Sequence, residues 1–190
     1  MVSSVANANL ITNGSFEDKA VNAGNWSVFN SGSVGGWQGS NVEIWNNYGG
    51  VSAQHGTQLA ELNSHGKNTG AFSIFQTFNT VAGSIYDLSF HYSARSNANE
   101  SFLVELFSAQ SPIFSAVVDD HTVKQWSQFN SSFVANNTLT TIRFTSITPK
   151  TGTVGNFIDN VAVTQASAPS AALLVLLGLS MVWVRRTKRN

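Results

Sequence analysis

The stretch IYDLSFHY, Ile85–Tyr92, decides the fold. Tyr86, Leu88, Phe90 and Tyr92 alternate with Ile85, Asp87, Ser89 and His91, a period of two that marks a half-buried β-strand. The same period recurs on both sides of it. FLVELF puts Phe102, Val104 and Leu106 on one face, and TTIRFTSI sets Ile142 and Phe144 against Thr141, Arg143 and Thr145. Further strands are predicted near Val42–Trp45, Gln58–Leu62, Phe72–Phe78, Ile113–Val118 and Phe129–Val134. Clusters of Gly, Asn and Ser separate them: NSGSVGG, NNYGG, NSHGKNTG, SNANE and VANNT. No interior stretch carries a helical period. Eight or more short strands at this spacing predict an all-β, antiparallel sandwich or barrel.

The composition agrees. Only 11% of the residues are charged, while Asn, Ser, Thr and Gly supply the polarity that turns and pleats tolerate. Five Trp and thirteen Phe are enough to fill a sandwich core. The formal net charge is zero, but four of the ten basic residues lie at the C-terminus, so the body is acidic. With no basic patch to neutralise phosphates, nucleic acid is excluded as a partner. The absence of cysteine excludes disulfides, thiolate metal sites and a cysteine nucleophile.

Both ends read as processing signals. The run Ala171–Val184 is apolar on every side. As a helix it would reach about 21 Å, against a hydrocarbon core of roughly 30 Å, so it would span only with local thinning and snorkelling of its arginines. Arg185, Arg186, Lys188 and Arg189 follow at once and would hold that tip in the cytoplasm. The expected layout is therefore a C-terminal hydrophobic helix in the inner membrane at residues 171–184, with the body exported. Ala6-Asn7-Ala8 has the form of a signal-peptidase site, which makes 1–8 the expected remnant of a signal peptide. The tail 167–190 resembles the sorting tails of PEP-CTERM proteins. Their Pro-Glu-Pro is represented only by Pro169 in Ser167-Ala168-Pro169-Ser170. The resemblance implies an exosortase-like processing enzyme as a partner, acting near Pro169, and release to the cell surface or matrix.

The body carries a second resemblance. NLITNGSFE (9–17), GGWQGSNVEIW (35–45), HGTQLAELN (55–63), IFQTF (74–78), YDLSFHYSAR (86–95) and FIDNVAV (157–163) occur in that order. Together they resemble the galactose-binding-like jelly rolls, in particular the DUF642 and choice-of-anchor families. The implied fold is a jelly-roll β-sandwich over 9–166, and the implied setting is secreted and matrix-associated. In similar carbohydrate-binding modules, the glutamate of the first motif and the aspartate of the last strand hold a structural calcium. Carried over, these are Glu17 and Asp159. Strand alternation sets Asp159 on the face of Phe157, Val161 and Val163, where a carboxylate is costly unless it is paired or bound to a cation. A bulge in the strand would weaken that argument.

Trp45, Asn46, Asn47 and Tyr48, followed by Gly49-Gly50, form the candidate ligand loop. Flat rings stack on sugar faces, and Asn both donates to and accepts from hydroxyls. The alternative is that Trp45 is core and Tyr48 caps the sandwich. Trp37 and Trp126 read as packing. Glu43 and Glu61 lie on strand faces away from Val42, Ile44 and Leu62, facing solvent or a groove, and are the pair that a polysaccharide-active enzyme would use. The four histidines have no metal-ligand spacing, and no Gly-x-Ser-x-Gly elbow is present. The reading is an exported, non-catalytic protein that binds a polysaccharide or cell-surface glycan, with a surface or adhesion protein lacking a sugar site as the alternative.

Overall fold

The computed structural model describes residues 8–66 and 70–166. The expected signal-peptide remnant (save Ala8), the tail with Pro169, Arg185 and Arg186, and the C-terminal hydrophobic helix lie outside the described residues.

Eleven antiparallel strands build two sheets, and no helix occurs among the described residues. They are β1 (Asn25–Phe29), β2 (Gln38–Gly39), β3 (Val42–Asn46), β4 (Gln58–Glu61), β5 (Ser73–Asn79), β6 (Ile85–Ser93), β7 (Ser101–Ser108), β8 (Ser111–Val118), β9 (Ser127–Val134), β10 (Leu139–Thr148) and β11 (Phe157–Gln165). One sheet runs β1-β3-β4-β11-β6-β9 and the other β2-β5-β10-β7-β8.

The alternation read from the sequence faces inward as expected. Tyr86, Leu88, Phe90 and Tyr92 of β6 pack against Phe102, Val104 and Leu106 of β7 and Ile142 and Phe144 of β10 in a single core between the sheets. Trp37 is fully buried, stacks on Phe16 with ring centroids 5.3 Å apart, and donates its indole N–H to the Asn13 carbonyl.

The N-terminal segment is laced to the last strand. Leu10 N–H donates to the Val163 carbonyl, Val161 N–H to the Gly14 carbonyl, and the Asn9 side chain bridges to Val161 and Val163. A Cβ at position 14 would collide with the Val161 carbonyl, which is why NGSFE has glycine there.

The sequence reading places Asp159 with Val161 and Val163, and the structure corrects this. β11 bulges between Asp159 and Ala162, with Asn160 at φ 53°. Before the bulge Ile158 faces the core while Phe157 and Asp159 face outward. After it Val161 and Val163 face the core. The extra residue flips the side-chain parity.

Candidate functional site

The two sheets present very different outer faces. On the six-stranded sheet, β3 and β4 turn Glu43, Trp45, Leu59 and Glu61 outward, and β11 adds Phe157 and Asp159. None of these is open to water, because the β3–β4 connection folds back over them. Val51, Leu59, Phe157 and Trp45 form a second small core, with Tyr48, Ala53 and Trp126 packed on it. Lys124 Nζ bonds the Gly49 carbonyl at 2.7 Å and the Trp126 indole bonds the Ser52 carbonyl at 2.9 Å, fastening the cover.

This decides the geometry of the expected ligand loop. Trp45 is 3% exposed, with the Tyr48 and Phe157 rings packed edge-on at 4.8 and 5.0 Å and the Arg95 guanidinium 4.6 Å from its ring centroid. Its ring has no face free for a sugar. Asn46 is buried and donates to the Val21 carbonyl, Asn47 is exposed at φ 47°, and Tyr48 is half-buried. The four residues are contiguous but do not make one open surface.

Glu43 and Glu61 sit opposite each other across β3 and β4 and are buried, so they face neither solvent nor an open groove. Glu43 accepts the Trp45 indole N–H at 2.7 Å and the His65 backbone N–H at 2.6 Å. Glu61 accepts Arg95 Nη1 with both oxygens at 2.8 Å and the Gly155 N–H at 2.8 Å. Burial pushes the Glu61 carboxyl up to about 8, against the pull of Arg95 and Gly155. Nearby, buried Glu100 gathers the backbone N–H groups of Arg95, Ser96, Asn97 and Asn156. These carboxylates fasten loops and have no path to a substrate in this structure.

Glu17 and Asp159 do converge, on the same short loop. Asp159 accepts the N–H groups of Gln54, His55 and Asn160 at 2.6–2.9 Å, and Glu17 accepts those of Thr57 and Gln58 at 2.7 Å. Gly56, at φ +73°, lies against the Glu17 carboxylate, where a Cβ would collide. Burial, opposed by these hydrogen bonds and reinforced by the Glu17 charge, pushes Asp159 up to about 7. No Lys or Arg pairs with either carboxylate among the described residues. Their four oxygens accept five backbone N–H groups and the Thr57 hydroxyl, and two carboxylates without a basic partner have the oxygen chemistry of a hard-cation ligand once the donors on them are displaced. No third acidic or histidine ligand joins them among the described residues, so backbone carbonyls would have to complete a shell of six to eight oxygens.

No described segment covers the outer face of the five-stranded sheet. Cross-strand register lines up Gln38, Phe75, Arg143, Glu105 and Ser115 in one row across β2, β5, β10, β7 and β8. A second row holds Thr77, Thr141 and Phe107, and a third Ser73, Thr145, Leu103 and Val117. The Arg143 guanidinium lies 4.5 Å from the Phe107 ring centroid. Among the described residues, the side chains of Arg143, Glu105 and Gln38 have no hydrogen-bond partner, and Arg143 and Glu105 form no ion pair. With strands about 4.8 Å apart, the row is about 19 Å long. Each member lies on a different strand and Gln38 on a strand of two residues, so no motif in the sequence marks the row.

The geometry is matched by relatives. The DUF642 family, described as proteins of unknown function, matches residues 9–164. The chain belongs to this family. The DUF642 domain is 29% identical over 166 residues to halomucin of Haloquadratum walsbyi (strain DSM 16790 / HBSQ001), covering 85% of the chain and 2% of that protein. Among solved structures it resembles the module TmCBM61, determined with β-1,4-galactotriose, at TM-score 0.55 and 16% identity, covering 84% of this chain and 99% of that one. It resembles the xylan-binding domain of CBM 22 at TM-score 0.50 and 17% identity, covering 86% and 99%. It also resembles part of the arabinose-bound α-L-arabinofuranosidase MgGH51 at TM-score 0.58 and 12% identity, covering 85% and 27%. These likenesses establish for the DUF642 domain the antiparallel jelly-roll sandwich shared with carbohydrate-binding modules.

Proposed function

We propose that this DUF642 domain binds a polysaccharide on the open face of its five-stranded sheet. The chain lies along the row Gln38–Phe75–Arg143–Glu105–Ser115, with Phe107 beside it. The observation that carries this reading is that the polar groups of the row lack hydrogen-bond partners among the described residues while half-buried aromatic rings lie among them. Such groups exchange water for sugar hydroxyls without breaking internal bonds, and half-buried Phe75 offers apolar surface to the C–H face of a sugar ring, with Phe107 beside it supporting the Arg143 guanidinium. A row of about 19 Å suits a run of several sugar units rather than one.

The burial of Glu43 and Glu61 supports a non-catalytic role. We further propose a calcium ion at Glu17 and Asp159, where it would neutralise the two carboxylates and fix the 54–58 loop to the first and last segments of the sandwich. Export, and retention at a membrane or sorting through Pro169 and the Arg185–Arg186 end, are part of the same reading and rest on the pattern of the tail.

The test is titration of the full-length protein with soluble β-linked glucans, xylans and galactans by affinity electrophoresis and calorimetry. Phe107→Ala and Arg143→Ala should each weaken binding by about tenfold or more, equivalent to about 1.4 kcal/mol, without shifting the melting temperature by more than a few degrees. Undiminished binding by both variants would remove the row from consideration. A surface or adhesion protein without a sugar site would bind none of these polymers.

A further inference from the structure

A polar recess lies between the two sheets, where the β2–β3 connection meets the loop after β4 and the residue before β5. It is a cavity of about 190 Å³ lined by Gly39, Ser40, Asn41, Ser64, His65, Gly66 and Phe72. It is smaller than the clefts of about 300–1,000 Å³ that hold drug-sized ligands and has no room for a chain. Beside it stands Trp26, on edge strand β1 and on the outer face, cross-strand from Trp45. Trp26 is 36% exposed, and its ring centroid lies 5.6 Å from that of His65, tilted by 57°.

The polar rim is held in place from beneath. His65 receives its backbone orientation from buried Glu43, whose other oxygen is fixed by the Trp45 indole. The Asn41 side-chain oxygen accepts the Ser31 N–H, its amide N–H₂ has no partner among the described residues, and the Ser40 hydroxyl oxygen accepts the Ser73 N–H. Both ring nitrogens of exposed His65 lack partners among the described residues. The buried Glu43–Trp45 pair has no access to substrate. It fixes the backbone of His65, whose imidazole, with the Asn41 amide and the Ser40 and Ser64 hydroxyls, lines a space the size of a single sugar ring, and the Trp26 ring reaches that rim through His65.

We infer that this cavity binds one neutral pyranose, the terminal sugar of a glycan, with Trp26 against its apolar face and His65, Asn41 and Ser40 on its hydroxyls. The inference rests on the sugar chemistry of the reading above but uses other residues, in a recess that borders β2 of the open-faced sheet as well as the 64–66 loop after β4. The domain would thus be bivalent: a chain on the open face and a chain end in the recess between the sheet edges.

The experiment is calorimetric titration of the full-length protein with the methyl glycosides of galactose, glucose, mannose and arabinose, alongside the polymers above. Wild type should bind one of the glycosides saturably. Trp26→Ala should weaken that binding tenfold or more and Trp26→Phe by less, while polymer binding by both stays within about twofold. Titration of the His65 ring protons by NMR should show them shifting with the same glycoside in wild type. A glycoside that binds equally well to Trp26→Ala, or no glycoside binding at all, overturns the inference. If polymer binding persists in either case, the open-face reading stands. If polymer binding is also absent, both fail.

Discussion

Asp159 allows the sharpest test of how the domain is held together. Its carboxyl is pushed from 3.8 to about 7 by burial in the cation-free protein. Between these values the folded protein keeps a proton that the unfolded chain has released. Stability is therefore full below about pH 4, falls as the pH rises, and levels off above about pH 7. A shift of about three units at about 1.4 kcal/mol each makes the loss about 4 kcal/mol. Asp159→Asn removes the ionisation, so in chelator the difference between wild-type and variant unfolding free energies should change with pH over that window. Glu61 adds a slope of the same sign reaching to about pH 8, and His121, lowered by burial, one of opposite sign. Both are common to the two proteins and cancel in the difference. Calcium should reverse the penalty. It needs the ionised carboxylates, so it should stabilise wild type at pH 8 by about 2.7 kcal/mol at a hundredfold excess over Kd, do little at pH 5, and do nothing for the variant. The assay is urea unfolding at pH 4–8 with chelator or calcium. Parallel pH profiles for wild type and Asp159→Asn would refute the burial argument, and coincident curves with and without chelator at pH 8 would refute the calcium proposal.

Two other substitutions separate packing from binding. Trp45→Ala should cost about 3–5 kcal/mol in unfolding free energy, as for a buried aromatic, while polysaccharide affinity of the folded fraction stays within a factor of two. Tenfold weaker binding would restore Trp45 as a ligand residue. Glu61→Gln should match wild type below about pH 4.5, exceed its stability by about 2 kcal/mol near pH 6, where the unfolded wild-type carboxyl is ionised and the native one protonated, and flatten the decline in stability between about pH 4.5 and pH 8. A decline unchanged by the substitution would mean that Arg95 keeps Glu61 ionised.

The strands with one face in the core and one in water, β6, β7 and β10, carry the clearest alternation, and β3, β4, β5, β8, β9 and β11 are legible as well. The two that the sequence does not reveal are β1 and β2. Asn25–Phe29 begins directly after Gly24 in a positive-φ turn, and Gln38–Gly39 is only a pair of residues. A local signal did exist for Trp45. Ile44 and Trp45 are both apolar on opposite faces, as are Ile158 and Phe157, so both sides of that part of the sheet had to be covered. The start of that cover, Trp45–Gly50, reads as a ligand loop in the sequence because Asn, Tyr and Gly suit either role. The Asn160 bulge left no mark, since the αL residue is asparagine and not glycine. The open-face row was illegible for a different reason. It depends on the order of strands in the sheet, and alternation along one strand carries no information about its neighbours.

The contrast between the two outer faces bears on how tightly such a domain can bind. On the six-stranded sheet Glu43, Glu61 and Asp159, and in the β6–β7 loop Glu100, spend their acceptors on backbone N–H groups, the Trp45 indole and Arg95, and these bonds hold loops that would otherwise fray. On the five-stranded sheet, Arg143, Glu105 and Gln38 have made no such commitment. A hydrogen bond exchanged with water contributes only about 0.5–1.5 kcal/mol, and a ring contact a similar amount. A few of each, set against the loss of translational freedom, leave a modest affinity at one face. A protein that must stay on a polymer under those terms gains most from engaging it twice. A chain on the open face and a chain end beside Trp26 would hold a domain at a matrix far longer than either contact alone, because the second contact forms at a raised effective concentration.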